Sequence, residues 1–160
     1  MNKQLARREL LVGSGIAVLA AAGGVQLAVA KDTGSGGMTE TEKANVKLVK
    51  EFLASWSKPD LDIDKLTARY IAPTASVRWF DDEPVTIGPE AAAAAAKRAA
   101  GNDVRMETKI HGVFARGPLV ATSRVDTIKL PRKPDGSFNI AGVIIVKDGK
   151  FLEYCDYVVI

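Results

Sequence analysis

The apolar and polar positions divide the chain into a leader with a long uncharged stretch, a helical part and a strand-rich part. Val46, Val49, Phe52, Leu53 and Trp56 recur at helical spacing, and Thr39 and Thr41 with Glu42 supply a start signal, which together predict one amphipathic helix. Lys58-Pro59-Asp60 breaks it. A second, short helix is expected over Ile63 to Tyr70, and a third opens at Pro89-Glu90, runs through six alanines at 91–96 and closes at Gly101-Asn102. The alanine run reads as close helix packing, not as a cofactor-binding segment. Between the helices Ala75 to Phe80 reads as a strand. From Val104 onward the turn signals Arg116-Gly117-Pro118, Lys133-Pro134-Asp135-Gly136 and Lys147-Asp148-Gly149-Lys150 cut the chain into strands over roughly 104–115, 119–130, 137–147 and 150–159. Helices first and an antiparallel meander last predict an α+β domain, a curved sheet packed on three N-terminal helices as a cone with an apolar pocket.

The leader precedes this domain. Lys3, Arg7 and Arg8 form a basic head, Leu10 to Ala30 carries no charge, and Ala28-Val29-Ala30 offers the small-x-small pattern of a signal-peptidase site. Arg7-Arg8 before Glu9-Leu10-Leu11, with a Gly- and Ala-rich core, resembles bacterial twin-arginine signals. The expected organisation is an export signal over 1–30, a flexible linker over 31–38 and one domain over 39–160, with a periplasmic or secreted product. The alternative is an uncleaved membrane anchor, since an apolar run of about 20 residues suffices to span a bilayer. Gly13, Gly15, Gly23, Gly24 and Gln26 make the stretch a poor permanent span.

Composition narrows the chemistry. The 160 residues are 47% hydrophobic and 26% charged, a balance that fits one globular domain. Cys155 is the single cysteine and His111 the single histidine, so a thiolate zinc site and an iron–sulfur cluster lack their ligands, and any histidine-dependent mechanism must pass through His111. His111 reads as a structural or edge residue. Cys155 reads as a packed thiol on the face opposite Asp156. Lys129 to Lys133 reads as a solvated basic hairpin. Loss of Lys3, Arg7, Arg8 and Glu9 with the leader reduces the formal net charge from +3 to +1. Without a basic stripe or interleaved aromatics there is no electrostatic footprint for nucleic acid, and after signal cleavage no membrane partner is expected. A small apolar ligand is the better expectation, and any catalysis should run on carboxylates.

Alternation along a strand puts Arg124 and Asp126 on one face with Ile128 next along it, and it aligns Tyr154, Asp156 and Val158 in the same way. An ionised Asp among apolar neighbours needs a partner, which makes an arginine between two carboxylates a sensible arrangement. An ordinary ion pair on the wet face of a sheet is the competing reading.

The run Arg124-Val125-Asp126, then Gly142-Val143, Asp148-Gly149-Lys150 and Asp156-Tyr157 resembles the limonene-1,2-epoxide hydrolase family in order and spacing. The likeness covers most of residues 42–158, with the distinctive motifs in the last forty or so. It implies one-step epoxide hydrolysis by an Asp-Arg-Asp triad, without metal, organic cofactor or covalent enzyme intermediate. By position, Asp156 would take a proton from water, Asp126 would protonate the departing oxygen and Arg124 would bridge the two. Two carboxylates facing one cavity resist double ionisation, which suits such a push–pull pair. The resemblance also implies a terpene-like or otherwise hydrophobic epoxide as substrate, with Ile128, Phe138, Ile140 and Val158 lining the pocket; core packing is the competing reading for each. Relatives with this fold often pair through the sheet, so a homodimer is allowed, while the residues themselves leave the oligomeric state open.

The chain departs from the family at the water site, where a Tyr and an Asn two residues apart on the first strand are expected. Here the stretch is Val77-Arg78-Trp79-Phe80-Asp81-Asp82, so the pair becomes Arg78 and Phe80, or Trp79 and Asp81, of which the second could still hold a water. Two alternatives follow: an isomerase or cyclase on the same cone-shaped fold, working with one Asp, or a noncatalytic binding or association domain.

Overall fold

The computed structural model describes residues 37–80, 82–101, 104–129 and 135–159. The expected export signal and nearly all of the linker lie outside these residues, as do Asp81, Asn102 and most of the Lys129–Lys133 hairpin.

Helix α1 (Glu40–Ser55) starts with a capping box: the Glu42 amide donates to Thr39 Oγ1 at 3.2 Å and the Thr39 amide to Glu42 Oε2 at 2.8 Å. Val46, Val49, Phe52 and Leu53 form its buried face, and Trp56 caps its C-terminus. Helix α2 (Ile63–Tyr70) is capped by Asp62, which accepts from the Lys65 amide, and runs straight into strand β1 (Ile71–Arg78). The short β2 (Thr86–Ile87) precedes α3 (Gly88–Ala100), which has Pro in its first turn and Gly101 as its cap. Four long strands follow: β3 (Arg105–Arg116), β4 (Leu119–Lys129), β5 (Gly136–Lys147) and β6 (Lys150–Val158). The β5–β6 turn carries positive φ at both Asp148 and Gly149, as an Asp-Gly hairpin requires.

The six strands make one mostly antiparallel curved sheet in the order β2-β1-β6-β5-β4-β3, the α+β architecture expected from the sequence. Two details differ from that expectation. The first strand spans Ile71–Arg78 instead of 75–80, because it begins where α2 ends and stops before Trp79 and Phe80. It also lies parallel to β6, with Val77 opposite Tyr154, whereas the β3-to-β6 pairs are antiparallel. That parallel pair closes a connection running through the rest of the domain, which local pattern cannot reveal. The core lies between the sheet and the helices, with Phe52 in ring contact with Trp56, Tyr70, Trp79, Phe151 and Tyr154. Among the described residues no helix is long and apolar enough to cross a membrane.

Candidate active site

Strand register brings the polar groups together. Asp126 lies opposite Thr108 on β3, and Thr122 and Asp156 lie on either side of Gly142 on β5. Residues directly opposite one another share a face of the sheet, so Thr108, Thr122, Arg124, Asp126, Tyr154 and Asp156 all point to the helix-covered side. Arg124, Asp126 and Asp156 meet there, in the interior and not on a wet face: Arg124 is 1% exposed, and Asp126 and Asp156 are each 5% exposed.

A buried guanidinium is tolerated only when its donors and charge are matched. Arg124 Nε donates to Asp126 Oδ2 at 2.9 Å, Nη1 to Thr122 Oγ1 at 3.0 Å, and Nη2 to Asp156 Oδ2 at 2.5 Å. Nη2 also reaches the Tyr154 hydroxyl oxygen at 3.3 Å, and that hydroxyl donates to Asp156 Oδ2 at 2.8 Å. Asp126 Oδ1 accepts from Thr108 at 2.7 Å. Both oxygens of Asp126 are thus held, whereas Asp156 Oδ1 is buried with no hydrogen-bond partner among the described residues.

Three of these groups, Asp156, Arg124 and Tyr154, shift in directions set by their surroundings. Burial lifts the Asp156 carboxyl from the ordinary 3.8 to about 6, against the lowering effect of Arg124 and of the Arg124 and Tyr154 hydrogen bonds; Asp126 adds to the rise. Burial opposes the charge on Arg124, but Tyr154, Asp156 and Asp126 outweigh it and hold the guanidinium charged. The Tyr154 phenol is pushed well above its ordinary value, chiefly by burial and then by the Asp156 charge.

Gly142 makes the arrangement sterically feasible. A Cβ at this position would overlap Arg124 Nη1 and would stand 2.6 Å from Thr122 Oγ1 and 2.9 Å from Asp156 Oδ1.

Above the triad lies a cavity with about 670 Å³ of empty space, its open mouth included. Trp56, Trp79 and Phe80 form one side, Ala96, Ala99 and Ala100 of α3 another, and Met106, Ile128 and Phe138 a third; Asp126, Tyr154 and Asp156 are its polar members. An apolar cavity with a few convergent polar groups suits a small apolar ligand. No cluster of three or more metal-ligating side chains occurs among the described residues.

Of the four apolar residues named from the sequence, Ile128 and Phe138 line the cavity, and Ile140 and Val158 are not among its lining residues. Both lie in the cross-strand row that contains Arg124, with Ile140 directly opposite it and 2% exposed. The water-holding role suggested for Trp79 is also corrected: its indole N–H donates to the Ala92 carbonyl at 2.8 Å, deep in the core. Its suggested partner, Asp81, lies outside the described residues. The α3 alanines do pack closely, with Ala92, Ala93 and Ala95 buried, but the end of the helix also forms a cavity wall. His111 is exposed, at the register shift of edge strand β3. Cys155 is buried on the face opposite Asp156, with Arg78 and Tyr157.

Sequence reading passed over Thr122 and Thr108 as site members. Thr122 shares the parity of Arg124 and Asp126, so alternation could have found it. Thr108 could not be found that way, because the shift between Ile110 and Gly112 interrupts the alternation of β3.

The curved sheet on three helices is a fold that solved structures share. An LEH-like epoxide hydrolase from M. tuberculosis superposes with a TM-score of 0.62 at 23% identity, covering 74% of this chain and 84% of that one. A protein assigned as a SnoaL-like polyketide cyclase, from Jannaschia sp. CCS1, gives 0.63 at 15% identity, covering 77% and 90%. A de novo designed protein with a curved β-sheet gives 0.54 at 13% identity, covering 76% and 88%. No family model and no curated protein matches the sequence. The fold is thus shared by enzymes of different chemistry and by a designed scaffold, so any activity must be argued from the site.

Proposed function

We propose that this protein hydrolyses a small apolar epoxide to a vicinal diol, with Asp156 as general base, Asp126 as proton donor and Arg124 as the cation that orients both. The observation that carries this reading is a buried Arg124 that bonds both Asp126 and Asp156 at the edge of an otherwise apolar cavity, with Asp156 Oδ1 left without a hydrogen-bond partner among the described residues. In the reaction Asp156 removes a proton from water as the water oxygen bonds to an epoxide carbon. The electron pair of the breaking C–O bond stays on the ring oxygen, which takes through Asp126 the one proton that the two acids share. Asp156 ends protonated and Asp126 deprotonated, and return of the proton resets the pair. Arg124 stabilises whichever carboxylate is charged, and burial of all three side chains strengthens that interaction.

One observation favours a second reading. The Trp79 indole is committed to Ala92, which removes one expected grip on the attacking water. A single buried base without a water site suits an isomerase or cyclase that moves a proton beside a carbonyl. Mature protein should be assayed against a panel of apolar epoxides and, separately, for deuterium exchange into cyclic ketones. Hydrolysis requires that Asp126→Asn and Asp156→Asn each abolish diol formation while both variants remain folded. Diol formation at an unchanged rate in either variant rejects the triad. Ketone exchange that depends on Asp156 alone assigns the second reading.

A further inference from the structure

Tyr154 is 2% exposed, and its ring is fixed on several sides, 5.2 Å from Trp79, 5.6 Å from Phe52 and 6.0 Å from Phe151 between centroids. A phenylalanine would supply the same packing without burying a hydroxyl, which costs free energy unless it is partnered. The oxygen accepts from Arg124 Nη2, so the only proton of the hydroxyl goes to Asp156 Oδ2. Oδ2 thereby receives both Arg124 and Tyr154, and Oδ1 receives nothing from the described residues.

We propose that Tyr154 is the positioning residue of Asp156: its hydroxyl, with Arg124, pins Oδ2 and leaves Oδ1 as the carboxylate oxygen without a hydrogen-bond partner among the described residues. This rests on Asp156 being the base of the reaction. The groups facing Asp156 are Arg124 and Asp126 from β4 and Tyr154 from its own strand. Strand β5 presents Gly142, and apart from Asp126, Tyr154 and Asp156 itself no residue lining the cavity is titratable. A hydroxyl that donates to the ionised carboxylate favours the charged form, so its removal should make Asp156 harder to ionise.

The test is Tyr154→Phe, with Asp156 followed by carboxyl-carbon NMR titration in the absence of substrate. The midpoint should rise by about one pH unit, the scale of a hydrogen bond to a charged group. Turnover should then fall about fivefold at pH 6 and hardly at pH 8, with the loss in kcat and not KM. A merely structural role would lower activity at both pH values and leave the titration where it was. A second probe guards against a variant that does not fold: 3-fluorotyrosine keeps the hydroxyl and makes it a stronger donor, so the Asp156 midpoint should move downward. An unmoved midpoint in both experiments overturns the assignment, whatever the activity. If the protein turns over no epoxide while the midpoints move in opposite directions, the hydrolase reading fails and the positioning role stands.

Discussion

Arg124 Nη1 occupies the space that a side chain on Gly142 would need, so a residue on β5 determines whether a cation from β4 can lie between the two acids. The guanidinium is held by Asp126, Thr122, Asp156 and Tyr154 and has no free direction in which to yield. Gly142→Ala should therefore destabilise the fold by about 1–3 kcal/mol, the usual cost of overpacking, and should remove activity by displacing Arg124. Urea unfolding and a turnover assay read the two effects, and an unchanged unfolding midpoint would mean that the guanidinium can step aside.

The raised Asp156 value predicts how stability depends on pH. With about 6 in the folded state against an ordinary 3.8, the folded protein binds this proton more tightly than the unfolded chain does. The stabilisation is complete below about pH 4 and is lost as pH rises through 6, a change on the order of 2 to 3 kcal/mol from this group. Carboxylates such as Glu42, whose value is lowered by the Gly117 and Thr39 amides, act in the opposite sense. The contribution of Asp156 is therefore isolated by subtracting an Asp156→Asn series measured at pH 4 to 7. Wild-type stability relative to that variant should fall across the window, and a flat difference would contradict the assignment. Activity, which needs the ionised base, should rise through the same region of about pH 6.

Ala99 stands exposed on α3 at the cavity wall. Alanine and leucine have similar helix propensities, so Ala99→Leu should change stability by no more than about 0.5 kcal/mol. The larger side chain should lower kcat/KM for a bulky terpene-like epoxide by about tenfold or more, on the scale of a few methylenes in an apolar pocket, and spare a small epoxide. Equal losses for both substrates would place the binding site elsewhere.

Much of this molecule could be read from local pattern because the signals are local. Val46, Val49, Phe52 and Leu53 mark a helix face through their spacing, Thr39 and Glu42 cap it through neighbouring amides, and Asp148-Gly149 fixes a hairpin through the φ values those two residues tolerate. The parity of 124 and 126, and of 154 and 156, likewise put each pair on a common face before any pairing was known. Which face is buried, which strands are neighbours and which atoms meet depend on contacts between residues far apart in the chain. The parallel β1–β6 pair, the shift that turns Thr108 toward Asp126 and the bare Cα of Gly142 under the guanidinium arise in this way. The commitment of the Trp79 indole to α3 and the placing of Ile140 against Arg124, outside the cavity, were likewise decided by packing across elements. Local pattern suffices for the helices, the strands and the parity of the charged residues. That two acids and a cation meet in a buried interior, with one carboxylate oxygen unpartnered among the described residues, follows only from long-range register and burial, which set distances and desolvation.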